Sequence, residues 1–162
     1  STAWGHLDYL LIDLPPGTGD IQLTLAQKVP VSGAVIVTTP QEVALQDARR
    51  AIMMFRKVGI ATLGVVENMS LFKCPNCGHE EAIFDQGGGA TMAKEFELPL
   101  LGQLPLNKSI RSGTDQGVPS VAEGTNTEQG QHFMSIAARM SALLSRQPLG
   151  QQTTGLKFSI QS

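Results

Sequence analysis

Cys74 and Cys77 are the only two cysteines among 162 residues, and they stand within Cys74-Pro75-Asn76-Cys77-Gly78. Thiolates at this spacing converge on one point, the arrangement a soft metal ion or an iron-sulfur cluster needs. Two sulfurs are half of a four-sulfur shell, so one chain does not complete it. A twofold axis between two copies supplies the other half most simply, which makes a homodimer the expected holder. Spacing alone leaves two other readings open: a structural zinc half-site and a redox dithiol. His79 is a candidate third zinc ligand, and its simpler reading is an exposed loop residue. Against the dithiol, a thioredoxin-type pair opens a helix after a strand, whereas Pro75 and Asn76 lie within a loop.

A second group able to do chemistry lies near the start. Leu10-Leu11-Ile12-Asp13 leads an apolar run into a carboxylate, and Pro15-Pro16-Gly17-Thr18-Gly19-Asp20 follows at once. Open α/β sheets gather ligands at the carboxyl ends of their strands. Apolar residues ending in Asp form the Walker B arrangement, in which the carboxylate holds magnesium directly or through water. The prolines stiffen the exit from the strand, and the glycines let backbone amides approach an anion. A strand-end carboxylate beside a turn is the plain alternative.

Positioning these groups falls to a regular alternation of elements. Residues 9–14, 34–38, 63–66 and 100–104 are short apolar runs bounded by Gly, Pro or Asn, and read as strands buried on both faces. Residues 20–29 form an expected helix with Ile21, Leu25 and Val29 on one stripe and Asp20 as its cap. Residues 42–58 form another, with Ala44, Ala48, Ala51, Ile52 and Phe55 on one face and Gly59 at its end. Strand-helix alternation with continuous apolar strands predicts an α/β fold, a parallel sheet with helices on both faces. Further on, residues 69–86 interrupt the alternation as the cysteine loop. Gly87-Gly88-Gly89, most simply a flexible helix entry, opens a helix over 90–96. Residues 128–144 form a last helix with Phe133, Ile136, Ala137, Met140 and Leu144 on one stripe. Residues 1–146 read as one domain, and 147–162, rich in Gln, Thr, Ser and Gly, as a frayed tail.

Composition narrows the classes. With 41% hydrophobic residues, 17 glycines and a net charge of −2, the chain suits a soluble domain with a real core. No run of about 18 apolar residues occurs, so no membrane partner is expected. Lysines and arginines are scattered, which argues against nucleic acid. No charged segment followed by an apolar one opens the sequence, and cysteines at metal-type spacing suit a reducing compartment such as the cytoplasm. Met53, Met54, Met69 and Met92 read as core or interface filler.

Taken in order, residues 8–20, Val66-Glu67-Asn68-Met69-Ser70, the cysteine motif, Phe84 with Gly87-Gly88-Gly89, and Leu101-Gly102-Gln103-Leu104-Pro105-Leu106 resemble the Mrp/ApbC iron-sulfur cluster carriers. These are MinD-like P-loop ATPases with a deviant Walker A motif, and the resemblance covers roughly residues 4–145. It implies that Asp13 is the Walker B and switch II carboxylate near magnesium and that Gly17 offers its amide near the γ-phosphate. It implies further that Asn68 reads adenine and that Pro105 lies where the chain wraps the base. Cys74 and Cys77 would bind a labile [4Fe-4S] cluster shared across a dimer and passed to recipient apoproteins. ATP, with Mg2+, would regulate that traffic.

The phosphate loop of the family is the point of departure, since no Gly-Lys-Ser/Thr triplet occurs here. The expectation is a carboxyl-terminal portion of a longer protein that hydrolyses no ATP by itself. The run from Asp8 is then expected to carry an unpaired edge prone to association. Two other classes compete with the carrier. A MinD- or ParA-like positioning ATPase shares residues 13–19 but has no need of the cysteines, and a zinc-stabilised binding module would use them only structurally.

Overall fold

A computed structural model describes residues 2–15 and 19–147. In chain order the elements are α1 (Asp20–Lys28), β1 (Ala34–Thr38), α2 (Glu42–Lys57), β2 (Thr62–Glu67), β3 (Phe72–Lys73) and β4 (Glu80–Glu81). They continue as α3 (Gly88–Glu95), β5 (Leu100–Gln103), α4 (Lys108–Asp115), α5 (Ser120–Glu123) and α6 (Glu128–Ser145). Strands β1, β2 and β5 form a parallel sheet in the order β1-β2-β5, while β3 and β4 make a separate antiparallel pair.

β2 shows why both faces of the sheet are covered. Successive strand residues point to opposite sides, and Val65 joins a core cluster with Ile36, Ile52, Phe55 and Met92, whereas Val66 joins one with Leu101, Leu104 and Ile136. Helices α2 and α3 therefore cover one face and α6 the other. Ile52, wholly buried on α2, contributes on the order of 2 kcal/mol by burial. Among the described residues no helix is long and apolar enough to cross a membrane.

The expected strand over 9–14 is not formed. Its residues lie outside any strand, and Tyr9, Leu10, Leu11 and Ile12 are exposed, Leu11 at 80%. A strand needs a neighbour for its backbone groups, and among the described residues β1 pairs only with β2. Leu14 alone from this run packs against the core. The apolar stripe expected to bury α1 fares likewise: Ile21 is 66% exposed, and Gln22 and Leu23 turn inward instead. Gly19, not Asp20, caps α1, and Asp20 lies in its first turn, where a carboxylate suits the positive end of the helix. Met54 and Met92 are core residues, while Met53 and Met69 are exposed. Of the expected tail, Gln147 ends the described chain, and residues 148–162 lie outside the described residues.

Candidate metal centre

The site begins where β2 leaves the sheet. The Asn68 amide donates to the Thr38 carbonyl at 2.7 Å, and the Leu104 amide donates to the Glu67 carbonyl at 2.8 Å, so the ends of β1, β2 and β5 are level. Ser70 then donates to the Leu104 carbonyl from its amide at 3.0 Å and from its hydroxyl at 3.1 Å. The Leu106 amide donates to the Leu71 carbonyl at 2.8 Å, which ties the outgoing chain to the segment after β5.

From that root rises the short hairpin of β3 and β4, with Phe72 opposite Glu81 and Lys73 opposite Glu80. Cys74 donates its amide to the His79 carbonyl at 2.8 Å, and Gly78 donates its amide to the Cys74 carbonyl at 2.9 Å. Gly78 has φ 72, the left-handed conformation that glycine adopts without a Cβ penalty. The two bonds curl the chain so that the backbone amides of Cys77 and Asn76, and the Cys77 thiol, act on the Cys74 sulfur. These donors favour the thiolate and lower the Cys74 thiol below its ordinary value of 9.0, against a smaller opposing effect of burial. Cys74 is half-buried and Cys77 exposed, and both are free thiols.

The side chain of His79 is exposed, and no three of His, Cys, Asp and Glu gather into a metal-binding group among the described residues. The chain itself thus presents two sulfurs on one turn. Thiolates so placed are ligands for zinc or for iron, since the geometry of the turn serves either.

Of the residues expected to meet a nucleotide, Asn68 and Pro105 lie half-buried at the ends of neighbouring strands. The Asn68 side-chain oxygen accepts from the Met69 amide at 3.0 Å, and its amide group has no acceptor among the described residues. Asp13 is exposed in the segment before α1, not at the end of a sheet strand as expected, and makes no hydrogen bond among the described residues. Gly17 lies outside the described residues.

One residue escaped the sequence reading. Glu67, the last of β2, is wholly buried. One oxygen of its carboxylate accepts from the Gly89 amide at 2.5 Å, and the other accepts from Gln103 Nε2 at 2.6 Å. A Cβ on Gly89 would meet the first oxygen at 2.9 Å, so the glycine run is there for close approach as well as for turning. The available signal was an acidic residue closing an apolar strand, followed downstream by glycines at a helix start.

Residues 1–141 match the family described as NUBPL iron-transfer P-loop NTPase. The chain belongs to that family. Its relatives include an iron-sulfur cluster carrier protein from Pseudomonas fragi, 58% identical over 84% of this chain and 47% of the relative. The iron-sulfur cluster carrier protein of Escherichia coli K12 is 52% identical over 88% of this chain and 39% of its own length. The iron-sulfur cluster transfer protein NUBPL of Mus musculus is 46% identical over 90% of this chain and 46% of its own. The chain therefore spans less than half the length of these relatives. Among solved structures, a nucleotide-binding protein from Archaeoglobus fulgidus in complex with ADP matches at TM-score 0.67 and 40% identity, over 80% of this chain and 52% of that one. The cell division ATPase MinD of Pyrococcus furiosus matches at TM-score 0.55 and 26% identity, over 69% of this chain and 43% of that one. Over the matched part, the parallel sheet and its covering helices are a fold this chain shares with those structures.

Proposed function

We propose that two copies of this chain hold a [4Fe-4S] cluster between their Cys74–Cys77 turns and hand it to recipient apoproteins as cargo. The observation that carries the reading is a two-thiol turn, aimed outward, whose own amides favour the Cys74 thiolate and which has no third ligand among the described residues. Four such sulfurs bind a cluster, and their exposure lets recipient cysteines replace them one at a time, so that lability is part of the function. The iron-sulfur carrier names of the relatives support the cargo.

In the whole protein, ATP with Mg2+ engages the carboxyl end of the sheet. There we assign Asp13 to magnesium, Gly17 to the γ-phosphate, and Asn68 and Pro105 to the adenine. Residues 1–146 act as one carrier unit with the cysteine loop at 69–86, in a reducing compartment such as the cytoplasm that keeps both thiols available.

Anaerobic reconstitution with iron and sulfide tests this. The expected product is a brown dimer with iron and sulfide in equal amounts, whose colour is lost in both Cys74→Ala and Cys77→Ala. A colourless chain that retains tightly held zinc would establish the structural-module reading instead.

A further inference from the structure

We infer that Glu67 is a positioning residue that clamps the returning root of the cysteine excursion and thereby slows the departure of a bound cluster. The inference rests on the reading of Cys74 and Cys77 as cluster ligands. The chain leaves the sheet after Glu67, carries both cysteines outward, and returns at α3. Its outgoing root is pinned to the segment after β5 through Ser70 and Leu71. Glu67 holds the returning root: its bond to Gly89 closes a span of 22 residues with the cysteines inside it.

The chemistry of the position supports a device for placement over one for stability. Leu63 and Val65 precede Glu67 at alternate positions of β2 and are buried, so an apolar residue at 67 would extend the same face without desolvating a carboxylate. Instead, the carboxylate gathers donors from two other elements, α3 and β5. It also satisfies an amide in the first turn of α3, which has no partner within its own helix. The adjoining residue is Asn68, so the clamp lies one residue from the side chain assigned to the base. Met92 and Ala93 bury the body of α3 independently, which leaves the clamp to act on the segment leading into that helix.

Two substitutions separate placement from folding. Glu67→Leu fills the position but removes both acceptors. Glu67→Gln keeps an acceptor for Gly89 and a donor for the carbonyl of a turned-over Gln103 amide. With a chelator as cluster acceptor, E67L is expected to lose its cluster about tenfold faster than the parent, and E67Q to stay within about twofold. In the metal-free chain, amide hydrogen exchange over residues 82–89 is expected to rise in E67L while β2 and β5 keep their protection. Gln103→Ala, at an exposed position, serves if E67L does not fold, and is expected to speed release about threefold. Parental release rates in E67L, or in Q103A where E67L does not fold, overturn the inference, as does exchange that rises equally across the whole sheet. A parent that takes up no cluster sinks the reading of the cysteines, and with it the claim on release. The exchange measurement on metal-free protein still decides the clamp itself.

Discussion

The Gly78 amide donates to the Cys74 carbonyl at 2.9 Å, and this bond shapes the turn that turns amides toward the Cys74 sulfur. Gly78 sits at φ 72 with open space where a Cβ would be. In Gly78→Ala the obstacle is backbone strain alone, about 1 kcal/mol. The expected outcome is an unchanged fold by circular dichroism and a slower reaction of Cys74 with iodoacetamide at neutral pH, because a loosened turn withdraws its donors.

Neither cysteine belongs to a core cluster, and Cys77 is exposed. In metal-free protein, Cys74→Ala and Cys77→Ala are therefore expected to shift the melting temperature by no more than about 2 °C. Calorimetry checks this. A large drop in either variant would assign the hairpin a structural role.

The pH dependence of Cys74 follows from the donors around it. They stabilise the thiolate over the thiol, so the proton leaves below the ordinary value of 9.0. Alkylation of Cys74 is expected to reach half its maximal rate below that pH, and thiophilic metal uptake to persist to lower pH than for an unstructured thiol. Unfolding in guanidinium removes the donors, so the neutral-pH rate at Cys74 should fall on denaturation. A rate that is unchanged or faster in denaturant would contradict this account.

The sheet and its covering helices were legible because β2 and α2 obey local rules. The continuous apolar run through Val65 and Val66 demands two covered faces, and the spacing of Ala48, Ile52 and Phe55 demands a helix on one of them. That two thiols share one turn was legible from their spacing, which left open what they hold. Residues 9–14 have an equally strong strand pattern, yet strand formation depends on a neighbour, and side-chain periodicity says nothing about whether one is beside it. Ile21 went astray for the same reason. Glu67 stayed hidden because the partners of a buried carboxylate, Gly89 and Gln103, come from distant positions that only the fold brings together.

The uncovered apolar surface leads to the last expectation. Leu10, Leu11 and Ile12 are exposed in the segment that precedes α1 in sequence, and Val37 on β1 is 63% exposed in a strand paired on one side only among the described residues. An apolar strand edge with unpaired backbone groups recruits further chains. At about 100 µM the metal-free chain is expected to self-associate on a sizing column, and Leu11→Lys combined with Val37→Lys to shift it toward monomer by charging that surface. This association and the cluster-bridged dimer answer to different treatments. A chelator that removes iron should dissolve the brown dimer of the L11K/V37K variant, yet leave the association of the unsubstituted metal-free chain untouched. If the double variant associates as strongly as its parent with all metal removed, the contact lies elsewhere on the molecule, and the β1 edge is not what joins the copies.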